Sequence, residues 1–180
     1  MTVLQRLIAI LLCLQISLSV AAPLATENIH DLSPDDTQKI HEAVKEVRKA
    51  ILSKNTKDFL MHVSVTNGLS CTDTNYTHKE VRKFLSHKSS YLYLSLFDVA
   101  KFPKQCGDGY SKKYPALAEI EFLKTAHEPI KISKINNDWV EVTIESPIKT
   151  HYPRVWYMHR EVQSWRLAGG SFIIGNCACG

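Results

Sequence analysis

An excess of charge of one sign, a long uninterrupted apolar run and a clustered metal or redox motif are what this sequence has least of. Its 180 residues carry 22 basic and 18 acidic side chains. Both signs are spread along the chain, so no electrostatic footprint for nucleic acid or a membrane surface stands out, and an ordinary solvated surface accounts for them. The one apolar stretch, Leu7 to Leu18, is short and is interrupted by Gln15 and Ser17, which excludes a comfortable membrane span. Cys177-Ala-Cys179 has neither the wider cysteine spacing usual at zinc sites nor the two intervening residues of redox pairs, even with His151 or His159 offered as a further ligand. No metal or cofactor is expected, and no recognisable catalytic motif is present.

What the N-terminus does contain is the pattern of a secretory signal over residues 1–21. Arg6 supplies the positive n-region, Leu7 to Leu18 the apolar h-region, and Ser19-Val20-Ala21 a small-residue cleavage site. Leu12 stands before Cys13 where a lipoprotein signal needs a small residue. The mature chain is therefore expected to be secreted or periplasmic, with no integral membrane segment. Residues 22–34 form an N-terminal extension and 35–180 a single domain. Loss of Arg6 takes the basic count from 22 to 21 against 18 acidic residues, leaving nucleic acid without support as a partner.

Cys71, Cys106, Cys177 and Cys179 remain after cleavage, and an oxidising compartment makes two disulfides the default. A bond between Cys177 and Cys179 closes a very small, strained ring, so each is expected to reach back to Cys71 or Cys106. Such links would tether the C-terminal tail to the helical half and contribute roughly 3 to 4 kcal/mol each in the chain-entropy view.

Helix signals fill the first half of the mature chain. Ser33-Pro34-Asp35-Asp36 provides an N-cap, a proline at the first helical position and acidic first-turn residues. Ile40, Val44, Val47 and Ile51 then recur at helical spacing, with Lys39, Glu42, Lys45, Glu46 and Lys49 on the remaining, solvated faces. Asp58 to His62 reads as a short second helix, and Asn67-Gly68 turns the chain toward Cys71. Thr77-His-Lys-Glu80 is a capping box with Tyr76 and Val81 as its staple. Asn75-Tyr76-Thr77 also has the form of an N-glycosylation acceptor, which means nothing in a bacterial source. Tyr91 to Phe97 is apolar almost all round, as in a buried helix closed by Asp98, but its aromatic content suits a strand equally. Pro115 to Lys124 reads as a further helix.

Strands follow from Ile130. Ile130 to Ile135, Trp139 to Glu145, Val155 to Arg160 and Ser164 to Ala168 are β-type runs joined by short polar connections, the pattern of an antiparallel meander. Val140, Val142 and Ile144 alternate with Glu141, Thr143 and Glu145, so one face of the sheet must be covered by the helices. The fold class is α+β, with N-terminal helices packed on a curved antiparallel β-sheet.

This order of elements, ending in Trp165-Arg-Leu-Ala-Gly, resembles the NTF2-like (SnoaL/cystatin-like cone) superfamily. Asn55-Thr-Lys-Asp-Phe-Leu60 resembles the stretch after its first helix. Tyr76-Thr-His-Lys-Glu-Val-Arg-Lys-Phe-Leu85 with Lys88-Ser-Ser-Tyr-Leu-Tyr is similar to exported bacterial members of unknown function. The likeness covers roughly Asp35 to Ile174, without the Cys-Ala-Cys tail. It implies a cone whose concave sheet and long helix enclose a pocket, used across the superfamily as an isomerase, dehydratase or hydrolase site, a ligand cup, or a protein-binding or dimerising surface.

Enzymes of that type move a proton with an Asp/His or Tyr/Asp pair inside the cone. The candidates are His159, Tyr157, Asp98 and Tyr91. Each has a plainer role: Tyr157 and His159 on the solvent face, Asp98 ending its helix, Tyr91 as a core aromatic. His62, His78, His87 and His127 lie near helix ends or loops and are expected to be exposed. The first expectation for function is therefore a non-enzymatic module binding a small apolar ligand or a protein partner, a second copy of itself included. Its pocket would be lined by Trp156, Met158 and Trp165, with no charged pair inside. An acid–base enzyme with His159 and Asp98 converging is the second, and a disulfide-stabilised interaction or inhibitor protein the third.

Overall fold

Ser33 opens the first helix, α1 (Pro34–Leu52), by accepting a hydrogen bond from the Asp36 amide. In the computed structural model, residues 32–71, 74–101, 118–126, 130–148 and 153–171 are described. The apolar stripe of α1 is buried as its periodicity requires: Ile40, Val44, Val47, Ala50 and Ile51 face the core. Asn55 caps α2 (Thr56–His62) through the Asp58 amide. Thr77 and Glu80 close the reciprocal capping box of α3 (His78–Ser86), while Tyr76 and Val81 are both buried beneath it. Ser90 caps α4 (Tyr91–Phe97), in which Leu92, Leu94, Leu96 and Phe97 are all buried. A helix rather than a strand forms there because the apolar residues cover most of its circumference and the serine supplies its first turn. After a 3-10 turn at Val99–Lys101, α5 (Glu119–Thr125) buries Ile120, Phe122 and Leu123.

Among the described residues the sheet has six strands: β1 (Leu69–Cys71), β2 (Thr74–Tyr76), β3 (Lys131–Lys134), β4 (Trp139–Ile144), β5 (Arg154–Glu161) and β6 (Ser164–Gly170). Their order is β2-β1-β6-β5-β4-β3. β3 to β6 form the expected antiparallel meander, with Val140 opposite Met158 and Val142 opposite Trp156. A register shift at Tyr157/Met158 interrupts the pairing of β5 with β6, a local irregularity of the kind that bends a strand.

The fold is α+β as expected, but the sheet is mixed, not antiparallel. β1 runs parallel to β6, with Cys71 opposite Gly170, and carries β2 as the edge strand. Two three-residue strands without alternating apolar residues give no local signal, and a parallel pairing made some hundred residues away in sequence leaves none either. The approach to β1 uses Gly68 at φ +67. A Cβ there would lie 1.8 Å from the Tyr76 carbonyl oxygen, so glycine is the residue this crossing admits.

Val140, Val142, Ile144, Trp156, Met158, Trp165 and Leu167 on the inner sheet face meet Ile40, Val47, Phe59, Leu96 and Phe122 in one core cluster. No helix among the described residues is long and apolar enough to cross a membrane. Residues 1–31, which hold the expected signal, lie outside the described part. So do Cys106, Cys177 and Cys179, and only the backbone of Cys71 is described.

Candidate functional site

One end of the sheet meets the first half of α1, and a charged cluster ties them together. Arg160, at the end of β5, donates to Asp36 at 2.8 Å and lies over the Trp165 ring at 4.9 Å. The Trp165 Nε1 also reaches Asp36, at 3.4 Å. Burial tends to raise the Asp36 carboxyl, but Ser33, Arg160 and Trp165 outweigh it and hold it below its ordinary value. These contacts hold the Trp165 indole between Arg160 and the first turn of α1.

Beside that indole an open cleft of about 360 Å³ is lined by Lys39, Glu42, Ala43, Glu46, His62, Gln163, Ser164 and Trp165. The α1 residues fall at i, i+3, i+4 and i+7, one stripe beside the buried one. By charge pattern alone, Lys39, Glu42 and Glu46 belong on a solvated face. Ala43, a small apolar residue among charges, was the one local hint. Glu42 accepts from Gln38 at 3.0 Å, and Glu46 pairs with Lys49 at 3.6 Å. His62 closes α2 half-buried, not exposed. Its imidazole is pushed below its ordinary value by burial, against the fields of Glu46 and Asp58. The apolar Trp165 and Ala43 surfaces, with the side chains of Lys39, Glu42, Glu46 and His62 around them, suit a ligand with an apolar body and a polar end.

A second buried cluster lies at α5, where sequence reading had no candidate. Glu119 is 1% exposed. Its carboxylate accepts from Trp156 Nε1 and from Arg154 Nε, each at 2.9 Å. The Arg154 guanidinium also lies over the Phe122 ring at 4.8 Å. Burial drives the Glu119 carboxyl upward, and Arg154 and Trp156 pull against that. The charged pair Glu119–Arg154 thus touches Trp156 in the core and is not among the residues that line the cleft. An interior indole N–H and an inward arginine both need an acceptor, and Glu119 meets both.

The remaining candidates are dispersed. Trp156 and Met158 are fully buried in the core, leaving Trp165 as the one of the three that lines the cleft. Tyr157 and His159 project from the opposite face of β5. Tyr157 is 36% exposed, and His159 packs on Trp139 with ring centroids 4.6 Å apart. The Nδ1 of His159 is buried without a hydrogen-bond partner, 3.9 Å from Glu161. Asp98 caps α4 and pairs with Lys101, while Tyr91 begins the same helix. His78 is half-buried, its Nε2 3.2 Å from the Leu60 carbonyl oxygen, and His87 is exposed. His127 and His151 lie outside the described residues.

Glu161 holds the crossing from α2 to β1. It accepts from Ser64 Oγ at 2.5 Å and from the Val65 and Thr66 amides at 3.3 and 3.0 Å. Burial raises its carboxyl, but these donors outweigh it and hold it below the ordinary value. Among the described residues no group of three or more His, Cys, Asp or Glu side chains is placed to hold a metal ion.

Against known proteins, the chain matches no protein family and no curated sequence.

Proposed function

We propose that the chain is an exported, non-enzymatic binding module of NTF2-like type, and that its binding site is the cleft beside Trp165. The observation that carries this reading is an open cavity of about 360 Å³, within the range of roughly 300–1,000 Å³ typical of small-molecule sites. Its floor is an indole already held by Asp36 and Arg160, so ordering that side chain costs a ligand little. The NTF2-like assignment is supported by chain order: a long first helix, a short second helix, a capped helix pair and then a four-strand meander.

The acid–base alternative has less support. Tyr157 and His159 occupy the face of β5 opposite Trp156, and Asp98 is engaged by Lys101. Glu119 has both oxygens committed to Arg154 and Trp156.

Native mass spectrometry of the secreted chain, paired with an Ala43→Phe variant, tests the proposal. A retained mass that is lost on denaturation, and is absent from the variant at unchanged melting temperature, is the expected result. Titration with anilinonaphthalene sulfonate gives an independent readout of the same cleft. An empty protein whose dye binding is the same in both forms overturns the assignment.

A further inference from the structure

We propose that Asn75 is an N-linked glycosylation site in a cell whose secretory route carries an oligosaccharide transferase, so that a glycan stands on the edge strand β2. The inference rests on the export reading, but on different residues from the cleft. Asn75-Tyr76-Thr77 satisfies the acceptor pattern, with tyrosine rather than proline at its centre.

The fold presents this tripeptide in a usable way. β2 is the edge strand of the six, and side chains on it alternate. Tyr76 turns inward, buried and edge-on to Phe84 with ring centroids 5.0 Å apart. Asn75 is therefore directed outward and is exposed, as is Thr77. A large polar substituent on the Asn75 amide meets no core packing. It would also cover a strand edge that has no partner among the described residues, a feature that otherwise invites pairing with another chain.

In the modification the Asn75 Nδ2 bonds to the anomeric carbon of a lipid-pyrophosphate-linked oligosaccharide. The bond from that carbon to the pyrophosphate oxygen breaks, the lipid pyrophosphate leaves with the electron pair, and one amide proton passes to a base of the transferase.

Thr77 has two roles, and they can be separated. Its hydroxyl completes the acceptor pattern and also caps α3, accepting from the Glu80 amide at 3.3 Å and donating to the Glu80 carboxylate at 2.7 Å. Thr77→Asp retains a good N-cap but destroys the acceptor. Thr77→Ser retains both.

The experiment is secretion of the full chain from a eukaryotic host, with intact mass measured before and after peptide-N-glycosidase treatment. The wild type and Thr77→Ser should lose mass on treatment, with Asn75 converted to aspartate in its peptide. Asn75→Gln and Thr77→Asp should be secreted at the unmodified mass. Secreted wild type, cleaved at its signal but unmodified at Asn75, overturns the proposal while leaving export intact. A chain retained in the cell with residues 1–21 still attached overturns the export reading and this proposal with it.

Discussion

The indole Nε1 of Trp156 donates to the Glu119 carboxylate at 2.9 Å, joining the first turn of α5 to the inner face of β5. Glu119→Ala removes the acceptor of that indole and of Arg154 together, and breaking a buried pair from one side costs about 3–5 kcal/mol. Glu119→Gln keeps an acceptor for the indole and should cost less. Urea unfolding of both variants checks the order, and a cost no larger than that of a surface substitution would mean the cluster contributes little.

Val162 stands at the tip of the β5–β6 turn with φ +55 and 97% of its surface exposed. A β-branched residue gains nothing there and bears the strain of the left-handed region. Val162→Gly should raise stability by about 1 kcal/mol, read as an increase in melting temperature. An unchanged or lowered melting temperature would show that the turn relaxes the strain some other way.

Gly68 is the opposite case. With φ +67 and the Tyr76 carbonyl oxygen 1.8 Å from an added Cβ, Gly68→Ala must displace the β1–β2 hairpin. The expected loss is at least about 2 kcal/mol. Hydrogen exchange should show it concentrated in residues 63–76; a uniform small loss would contradict the argument.

Acid should act in two opposed ways. His62 and Glu161 have carboxyl or imidazole values held below the ordinary 6.5 and 4.5 respectively. As pH falls through those windows the unfolded chain takes up protons first, so both groups lose stability for the fold. Glu119, raised above 4.5, takes its proton first in the folded state and adds stability as pH falls from its raised value toward 4.5. Chemical denaturation across pH should therefore show Glu161→Gln flattening the loss below about pH 4.5, and Glu119→Gln removing the gain above it. A Glu161→Gln curve parallel to wild type would remove the basis for the loop-anchoring role of that carboxylate.

Local chemistry made much of the fold legible. Ser33, Thr77 and the stripe Ile40, Val44, Val47 and Ile51 set their helices because caps and 3.6-residue periodicity act within a turn or two. Val140, Val142 and Ile144 set the inner face of β4 for the same kind of reason. β1 and β2 were not legible, since three residues carry no periodicity and their partner β6 is distant in sequence.

The site divides in the same way. The sequence by itself determined the helix caps, the covered face of the meander and the inward packing of Tyr76 with Val81, whereas the outward direction of Asn75 came only with β2. Only the tertiary structure decided that Lys39, Glu42, Ala43 and Glu46 border a cleft, since that depends on where the β5–β6 turn and His62 come to rest. The same holds for Glu119, which reads as an ordinary first-turn acid until folding places Arg154 and the Trp156 indole against it. Burial then makes each of the three require the others, because a charge or an N–H removed from water must find its partner inside the protein.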